Sequence, residues 1–236
     1  MTYTPQKQIR LIFDIETVCN PENLALAPEP KAPANLKDPA KIAAAIEDKK
    51  RELIESAALD PDYGKILSLG YATSLNGPVT VFLSNEVYAM TAANADGPIT
   101  VNETFRTERE IIEDFWSLFA ACNGCAVGYN ILGFDLPYLM RRSMALGVQV
   151  PFIPNLAKFK TEPITDLMAI LYNWGSDRYK GLKQVAKLYG IQNDCPDVDG
   201  SQVKDLTPEQ LCAYQASDVD LVRRLYQRMN GVYFSQ

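Results

Sequence analysis

Asp14 and Glu16 stand either side of one isoleucine inside the apolar run 11–18, LIFDIETV. On a β-strand, side chains at i and i+2 share a face, so the two carboxylates emerge together, ~6–7 Å apart. Charges in the middle of an apolar strand are costly unless something offsets them. A divalent cation is one candidate, because hard cations favour carboxylate oxygen. A pairing Lys or Arg at a strand end is the other. A second polar pair, Tyr214 and Asp218, lies four residues apart near the end of the chain. On a helix that spacing puts both on one face. Leu211, Tyr214, Asp218, Val222, Leu225 and Met229 continue the same stripe, so Asp218 is expected on the docking face and Asp220 off it. By itself the pair also fits a core tyrosine beside an Asp bonded to backbone. Asp135 precedes Leu136-Pro137, where an Asp at a helix start is equally ordinary.

Composition narrows the chemistry. The 236 residues include no histidine, which excludes Ser-His-Asp and Cys-His hydrolases and His-ligated zinc enzymes. Acid–base or metal chemistry must then use carboxylates, tyrosine, lysine or cysteine. The net charge of −6 argues against a protein that coats long duplexes. It is compatible with an enzyme that grips one chain end through a metal-filled acidic cleft. Five cysteines, no apolar membrane span and no signal-like N-terminus predict a cytoplasmic protein with reduced thiols.

The elements that must position these groups follow from periodicity and punctuation. A strand is predicted over 8–18. A Pro/Ala-rich arm over 19–62 follows, irregular around Pro21, Pro28, Pro30 and Pro33. Asp38-Pro39 then starts a helix to about residue 58, with Ile42, Ile46, Leu53 and Ala57 on one stripe. Strands over 65–74 and 78–84 flank Leu75-Asn76-Gly77, a hairpin signal. Thr107 opens a capping box with Glu110 and a helix to about 122. A short buried strand over 125–131, a helix over 136–146, an irregular stretch over 149–163 and helices over 165–174 and 181–189 come next. Thr207-Pro208-Glu209-Gln210 starts the last helix, which runs to about 230 and stops at Gly231. The order predicts one α/β domain over 1–236, with a mixed sheet of about five to six strands and helices on both sides.

The acidic residues are worth more as a set. Asp14, Glu16, Asp135 and Asp218 come from the first strand, a later strand–helix junction and the terminal helix, which a layered α/β domain brings to one end of its sheet. Four carboxylates without histidine suit two cations ~3.5–4 Å apart, able to stabilise both oxygens of an in-line phosphoryl displacement.

Phe13-Asp14-Ile15-Glu16-Thr17, Asn130-Ile131-Leu132-Gly133-Phe134-Asp135 and Tyr214-Gln215-Ala216-Ser217-Asp218 resemble the three exonuclease motifs of the DEDD 3′–5′ exonucleases. The Tyr-x-x-x-Asp form of the third is similar to the tyrosine subclass. The Asn-x-x-x-Phe-Asp form of the second most resembles the proofreading domain of family-B DNA polymerases. The likeness spans about residues 8–230. It implies a ribonuclease H-like fold and a two-metal 3′–5′ exonuclease, using Mg²⁺ or Mn²⁺ on single-stranded DNA ends and releasing nucleoside 5′-monophosphates. It implies that Asp14, Glu16 and Asp218 hold the first cation, with Asp14 bridging to the second and Asp135 supporting the second through water. Tyr214 would orient the nucleophilic water. Asn130 and Phe134 would contact the terminal nucleotides, and Ile15 and Thr17 would line the pocket for the 3′ end. Since 236 residues leave no room for a polymerase region, a freestanding nuclease or one working with a replication or repair partner is expected. The 19–62 arm, inserted just after the first ligands, is expected to help hold the single strand.

Weaker signals remain. Cys122 and Cys125 form a C-x-x-C with Cys195 and Cys212 far away, and buried structural thiols are expected rather than zinc. Lys49-Lys50-Arg51, among Glu47, Asp48, Glu52 and Glu55, suits a solvated helix face. Residues 158–187 carry six basic groups against three acidic ones, with Tyr172, Trp174 and Tyr179 interleaved. That fits a nucleic-acid track, or core aromatics among solvated lysines. Asp166 suits a structural partner near the site. The competing functions are an exoribonuclease of the same superfamily, an aspartyl-nucleophile phosphatase (which wants Asp-x-Asp) and an end-binding module with a vestigial site.

Overall fold

The computed structural model describes residues 10–86, 105–193 and 200–234. Six strands form one mixed sheet: β1 (Leu11–Cys19), β2 (Gly64–Ala72), β3 (Thr80–Ser84), β4 (Phe105–Arg106), β5 (Ala126–Gly128) and β6 (Ile164–Asp166). Their order is β4-β3-β2-β1-β5-β6, which places the Asp14-Ile15-Glu16 strand in the middle. β5 runs parallel to β1, with Leu11 opposite Ala126, and β6 runs parallel to β5. β2 and β3 are antiparallel, with Tyr71 opposite Thr80.

Seven helices accompany the sheet among the described residues: α1 (Pro21–Leu24), α2 (Pro39–Ser56), α3 (Glu108–Ala121), α4 (Asp135–Leu146), α5 (Leu167–Leu171), α6 (Leu182–Leu188) and α7 (Pro208–Met229). The starts of α2, α3 and α7 match the sequence signals. Thr107 and Thr207 each close a capping box, with Glu110 and Gln210. Asp38 caps α2 ahead of Pro39. Alternation along β1 sorts the layers. Phe13 meets Phe115 of α3, with ring centroids 4.9 Å apart. Ile12, one residue earlier, shares a cluster with Val127, Val219, Val222 and Leu225. So α3 covers one face and α7 the other, and Asp14 and Glu16 lie on the α7 face with Ile12.

The chain divides into two compact units, Thr17–Ile66 and the rest. In the smaller, Ile42, Ile46 and Leu53 of α2 are only half-buried, while Ala57 is buried. Lys49 donates to Lys31 O at 2.7 Å, and Lys50 and Arg51 are exposed, consistent with a solvated face.

Several predicted boundaries shift. Residues 8 and 9 of the first strand lie outside the described residues. The arm is not irregular at Pro21: Asn20 caps a one-turn helix there, because proline is preset for a first helical position. The strands expected to reach 74 and begin at 78 stop at Ala72 and start at Thr80, since Pro78 cannot donate to a ladder and Ser74 Oγ accepts from Gly77 N at 2.8 Å. The strand over 125–131 shrinks to Ala126–Gly128, because Asn130 turns the chain with φ of 69°. The helix over 165–174 is a strand, Ile164–Asp166, followed by α5 and the 3₁₀ turn Asn173–Gly175. Strands of two or three residues, β4 and β6, are too short to show a period. Gly231 does not stop the last helix, which passes through Asn230 into a π turn reaching Phe234.

Candidate active site

β1 presents Asp14 and Glu16, and α7 presents Asp218 opposite them. One carboxylate oxygen from each lies within 4.8 Å of the others. Asp14 and Glu16 are half-buried and Asp218 is buried. Oδ1 of Asp218 is enclosed without a hydrogen-bond partner. Such an orphan acceptor costs free energy unless a cation meets it. The donor set is all oxygen, which suits a hard divalent cation, so these residues fit the metal ions implied by the motifs.

The crowding shows in the acidities. Desolvation, then the Asp218 charge, pushes the Asp14 carboxyl up to about 7, against the pull of a Gln215 hydrogen bond. Desolvation and the charges of Asp14, Asp218 and Asp135 hold Glu16 well above the usual carboxylate range. Desolvation raises Asp218 too, although the Lys183 ammonium and the Tyr214 hydroxyl pull it down. The alternative of a pairing cation is therefore met only in part. Lys183 faces the acids, but their carboxyls still titrate above the usual range. Arg10, beside the start of β1, is paired with Glu162 at 2.9 Å.

Asp135 begins α4, buried, and its Oδ1 accepts the Ile15 amide at 3.1 Å. The backbone between Asp14 and Glu16 thus anchors it beside them. It stands outside the tight three-carboxylate cluster, and desolvation followed by the Asp14 charge raises its carboxyl well above the usual range. Tyr214 lies one turn before Asp218 and its phenol donates to it; desolvation, then the Glu16 and Asp218 charges, raise the phenol, so it stays protonated at neutral pH.

Three participants escaped the sequence reading. Gln215 is fully buried; its Nε2 donates to Asp14 Oδ2 at 2.7 Å and its Oε1 accepts from Ser68 Oγ at 2.5 Å. It therefore fixes the rotamer of one ligand from the layer behind. The 211-215-218-222 spacing was a signal for it, since a polar residue on a docking stripe needs partners. Gly70 makes this approach possible, because a Cβ there would sit 2.7 Å from Gln215 Cγ and 2.8 Å from Val219 Cγ2. Lys183 of α6 places its Nζ 4.4 Å over the Tyr214 ring. Nothing in its local pattern marked it out from the neighbouring lysines.

The expected substrate contacts fall in different settings. Asn130 is half-buried in a left-handed turn, its amide donating to Asp166 Oδ1 at 3.0 Å. Gly133 leaves room for it: a Cβ there would lie 2.5 Å from Asn130 Oδ1. Phe134 is half-buried, its ring 5.3 Å from that of Tyr138. The Ile15 side chain is 4% exposed and, by alternation, points away from the carboxylate face. Thr17 lies in the smaller unit, and its hydroxyl donates to Ala58 O at 2.7 Å. Asp166 is structural, its carboxylate accepting the amides of Asn130, Leu132 and Ala169. Asp220 lies off the buried stripe and pairs with Arg223 and Arg224. Cys122 and Cys125 are buried free thiols that join no metal-ligating cluster among the described residues; Cys195 lies outside them.

A family model described as a predicted 3′–5′ exonuclease related to the exonuclease domain of PolB matches residues 87–230. Among solved structures, the family B DNA polymerase of the hyperthermophilic archaeon Pyrobaculum calidifontis is similar over 97% of this chain and 25% of that one, at 21% identity and a TM-score of 0.56. The chain thus spans about a quarter of the length of that polymerase. The likeness shows the fold, which is ribonuclease H-like. A comparison with curated proteins found no match. No helix among the described residues is long and apolar enough to cross a membrane.

Proposed function

The chain belongs to the family of predicted 3′–5′ exonucleases related to the exonuclease domain of PolB, and on that premise we propose that it removes nucleoside 5′-monophosphates from the 3′ end of single-stranded DNA. The observation that carries this reading is the cluster of Asp14, Glu16 and Asp218 with one buried, unpartnered oxygen. Asp14, Glu16 and Asp218 would hold one divalent cation. Asp14 and Asp135 would serve a second, and Mg²⁺ or Mn²⁺ would suit both positions. When bound, such ions supply positive charge to the attacking and leaving oxygens.

The remaining steps belong to the chain. Gln215 and Ser68 keep Asp14 in the rotamer that faces the cleft. Tyr214, protonated, has a hydroxyl to share between Asp218 and the water that attacks the terminal phosphodiester. Lys183 beside it adds positive charge where phosphate oxygens gather. Asn130 and Phe134 hold the terminal nucleotides. An exoribonuclease of the same superfamily is the second reading, because no residue in the three motifs distinguishes a 2′-hydroxyl.

The test is degradation of a 5′-labelled single-stranded DNA beside an RNA of equal sequence, with Mg²⁺, Mn²⁺ and chelator lanes. A metal-dependent ladder shortening from the 3′ end, absent in Asp14→Asn, is the expected result. Preference for the RNA would transfer the assignment to the second reading. Tight binding with no cleavage of either would overturn both.

A further inference from the structure

Phe159 is 69% exposed, whereas Phe13, Phe115 and Phe119 pack in the core. Its backbone is left-handed, at φ of 63°, and so are those of Asn173 and Trp174, at 47° and 52°. Bulky residues seldom adopt that region, and where they do, the surrounding structure holds them there. The Phe159 and Trp174 rings meet at 5.3 Å. Next to Trp174, Gly175 (φ of 91°) lies under Tyr179, whose hydroxyl would be 3.0 Å from a Cβ at that glycine. Tyr179 is 45% exposed, and its ring stands edge-on to Tyr172 at 6.0 Å. Lys180 Nζ sits 5.0 Å over Tyr172, and the Tyr129 hydroxyl donates to Lys180 O, tying this segment to the strand end that leads into Asn130. One helical turn on, Lys183 covers Tyr214. Ring contacts thus join Phe159 to Trp174 and Tyr179 to Tyr172, while Lys180 and Lys183 lie over the rings of Tyr172 and of Tyr214 in the candidate active site.

Charge along this segment is opposite in sign to the whole protein. Residues 158–187 hold six basic side chains and three acidic ones, in a chain of net charge −6. Two of those acids are already committed: Asp166 is buried on backbone amides, and Glu162 is paired with Arg10. Lys158, Lys160 and Arg178 are exposed beside the rings.

We propose that the segment from Phe159 to Lys180 is the track for the single strand behind the reacting end, with Phe159 and Tyr179 stacking bases and the flanking cations meeting phosphates. Exposed rings alternating with cations suit single-stranded nucleic acid, because every base offers a π-face and every link a negative charge. The proposal rests on the exonuclease reading for its direction, leading away from Tyr214.

The test separates the two. Affinities of a three-nucleotide and a ten-nucleotide 5′-labelled oligothymidylate are measured in chelator, where no cleavage competes. Hydrolysis of the p-nitrophenyl ester of thymidine 5′-monophosphate with Mn²⁺ reports the active site alone, since that substrate is too short to reach Phe159. Phe159→Ala with Tyr179→Ala should weaken the ten-nucleotide strand by about 5-fold or more per ring, leaving the three-nucleotide strand and the ester within about twofold. Lys158→Gln with Lys160→Gln, which removes no ring, should flatten the dependence of log Kd on log salt by ~0.7 per lost phosphate contact. A native protein that hydrolyses the ester while both double variants bind the long strand unchanged overturns the track and keeps the exonuclease reading. Loss of long-strand affinity in a protein that hydrolyses nothing keeps the track and removes that reading. No binding of the long strand by the native protein overturns the track outright.

Discussion

Glu108 and Arg142 lock together between α3 and α4 through two parallel hydrogen bonds of 2.8 Å, both side chains nearly sealed from solvent. Asp14, Glu16, Asp135 and Asp218 are also drawn into the protein, yet among the described residues no guanidinium meets them. Among the described residues their compensation is one lysine, one glutamine, one tyrosine and the amides of Ile15 and Asp135. The first region is complete as it stands. The second gathers acids whose charges are poorly compensated, and a bound cation would offset them. Structure and chemistry therefore separate by how each buried acid is neutralised, not by burial itself.

The sharpest way to break this comparison is to remove one charge from each region. Asp14→Asn or Asp218→Asn should lower exonuclease turnover by about 10³-fold or more, since cation stabilisation is worth several kcal/mol. The metal-free protein should lose little stability, because a poorly compensated charge has gone. A variant that keeps turnover within tenfold would remove that carboxylate from the site. Arg142→Met should do the reverse, costing ~3–5 kcal/mol because Glu108 stays buried without its guanidinium. Thermal unfolding would show it, and turnover of the protein that remains folded should stay near native. A Tm within about 3 °C of native would contradict the contrast.

Between these extremes lies Gln215→Leu, which keeps the volume but frees Asp14 to rotate. Partners that orient a ligand are worth ~10–100-fold in metal affinity. Calorimetric titration with Mn²⁺ should show a loss of that order, with Gln215→Glu failing to restore it because a carboxylate there would repel Asp14. Unaltered affinity would reduce Gln215 to a packing residue.

The smallest effect is a pH dependence. The folded pKa of Asp14, at about 7, and those of Glu16, Asp135 and Asp218 lie above those of free carboxylates. The metal-free fold therefore holds these protons more tightly than the unfolded chain does. That contribution is fully present below the ordinary carboxylate range and fades as pH rises through it towards 7. Metal-free Tm should fall over this window, Asp14→Asn should flatten the fall, and Mn²⁺ should raise Tm more at pH 8 than at pH 5. An identical Mn²⁺ shift at both pH values would contradict poor charge compensation in the site.

Much of this was legible before any coordinates. The Asp14-Ile15-Glu16 spacing and the apolar run put two carboxylates on one face of a strand. The Tyr214–Asp218 interval put a phenol and an acid on one helix stripe, and the stripe members are buried as expected. Capping residues marked the starts of α2, α3 and α7. Where the reading slipped, the signal was shorter than its period: β6 and β4 span three and two residues, and β5 is cut short by a left-handed turn at Asn130. Lys183 was one lysine among several until α6 placed it over Tyr214.

The sequence by itself determined which residue types were available, where the strands and helices start, and that histidine chemistry was impossible. Those are local properties, set by side-chain period, caps and composition. Only the tertiary structure decided that Gln215 reaches Asp14, that Gly70 allows α7 so close to the sheet, and that Ile15 holds Asp135 by its amide. Each of these joins residues more than a hundred positions apart, and such contacts depend on how layers pack, which no local pattern encodes.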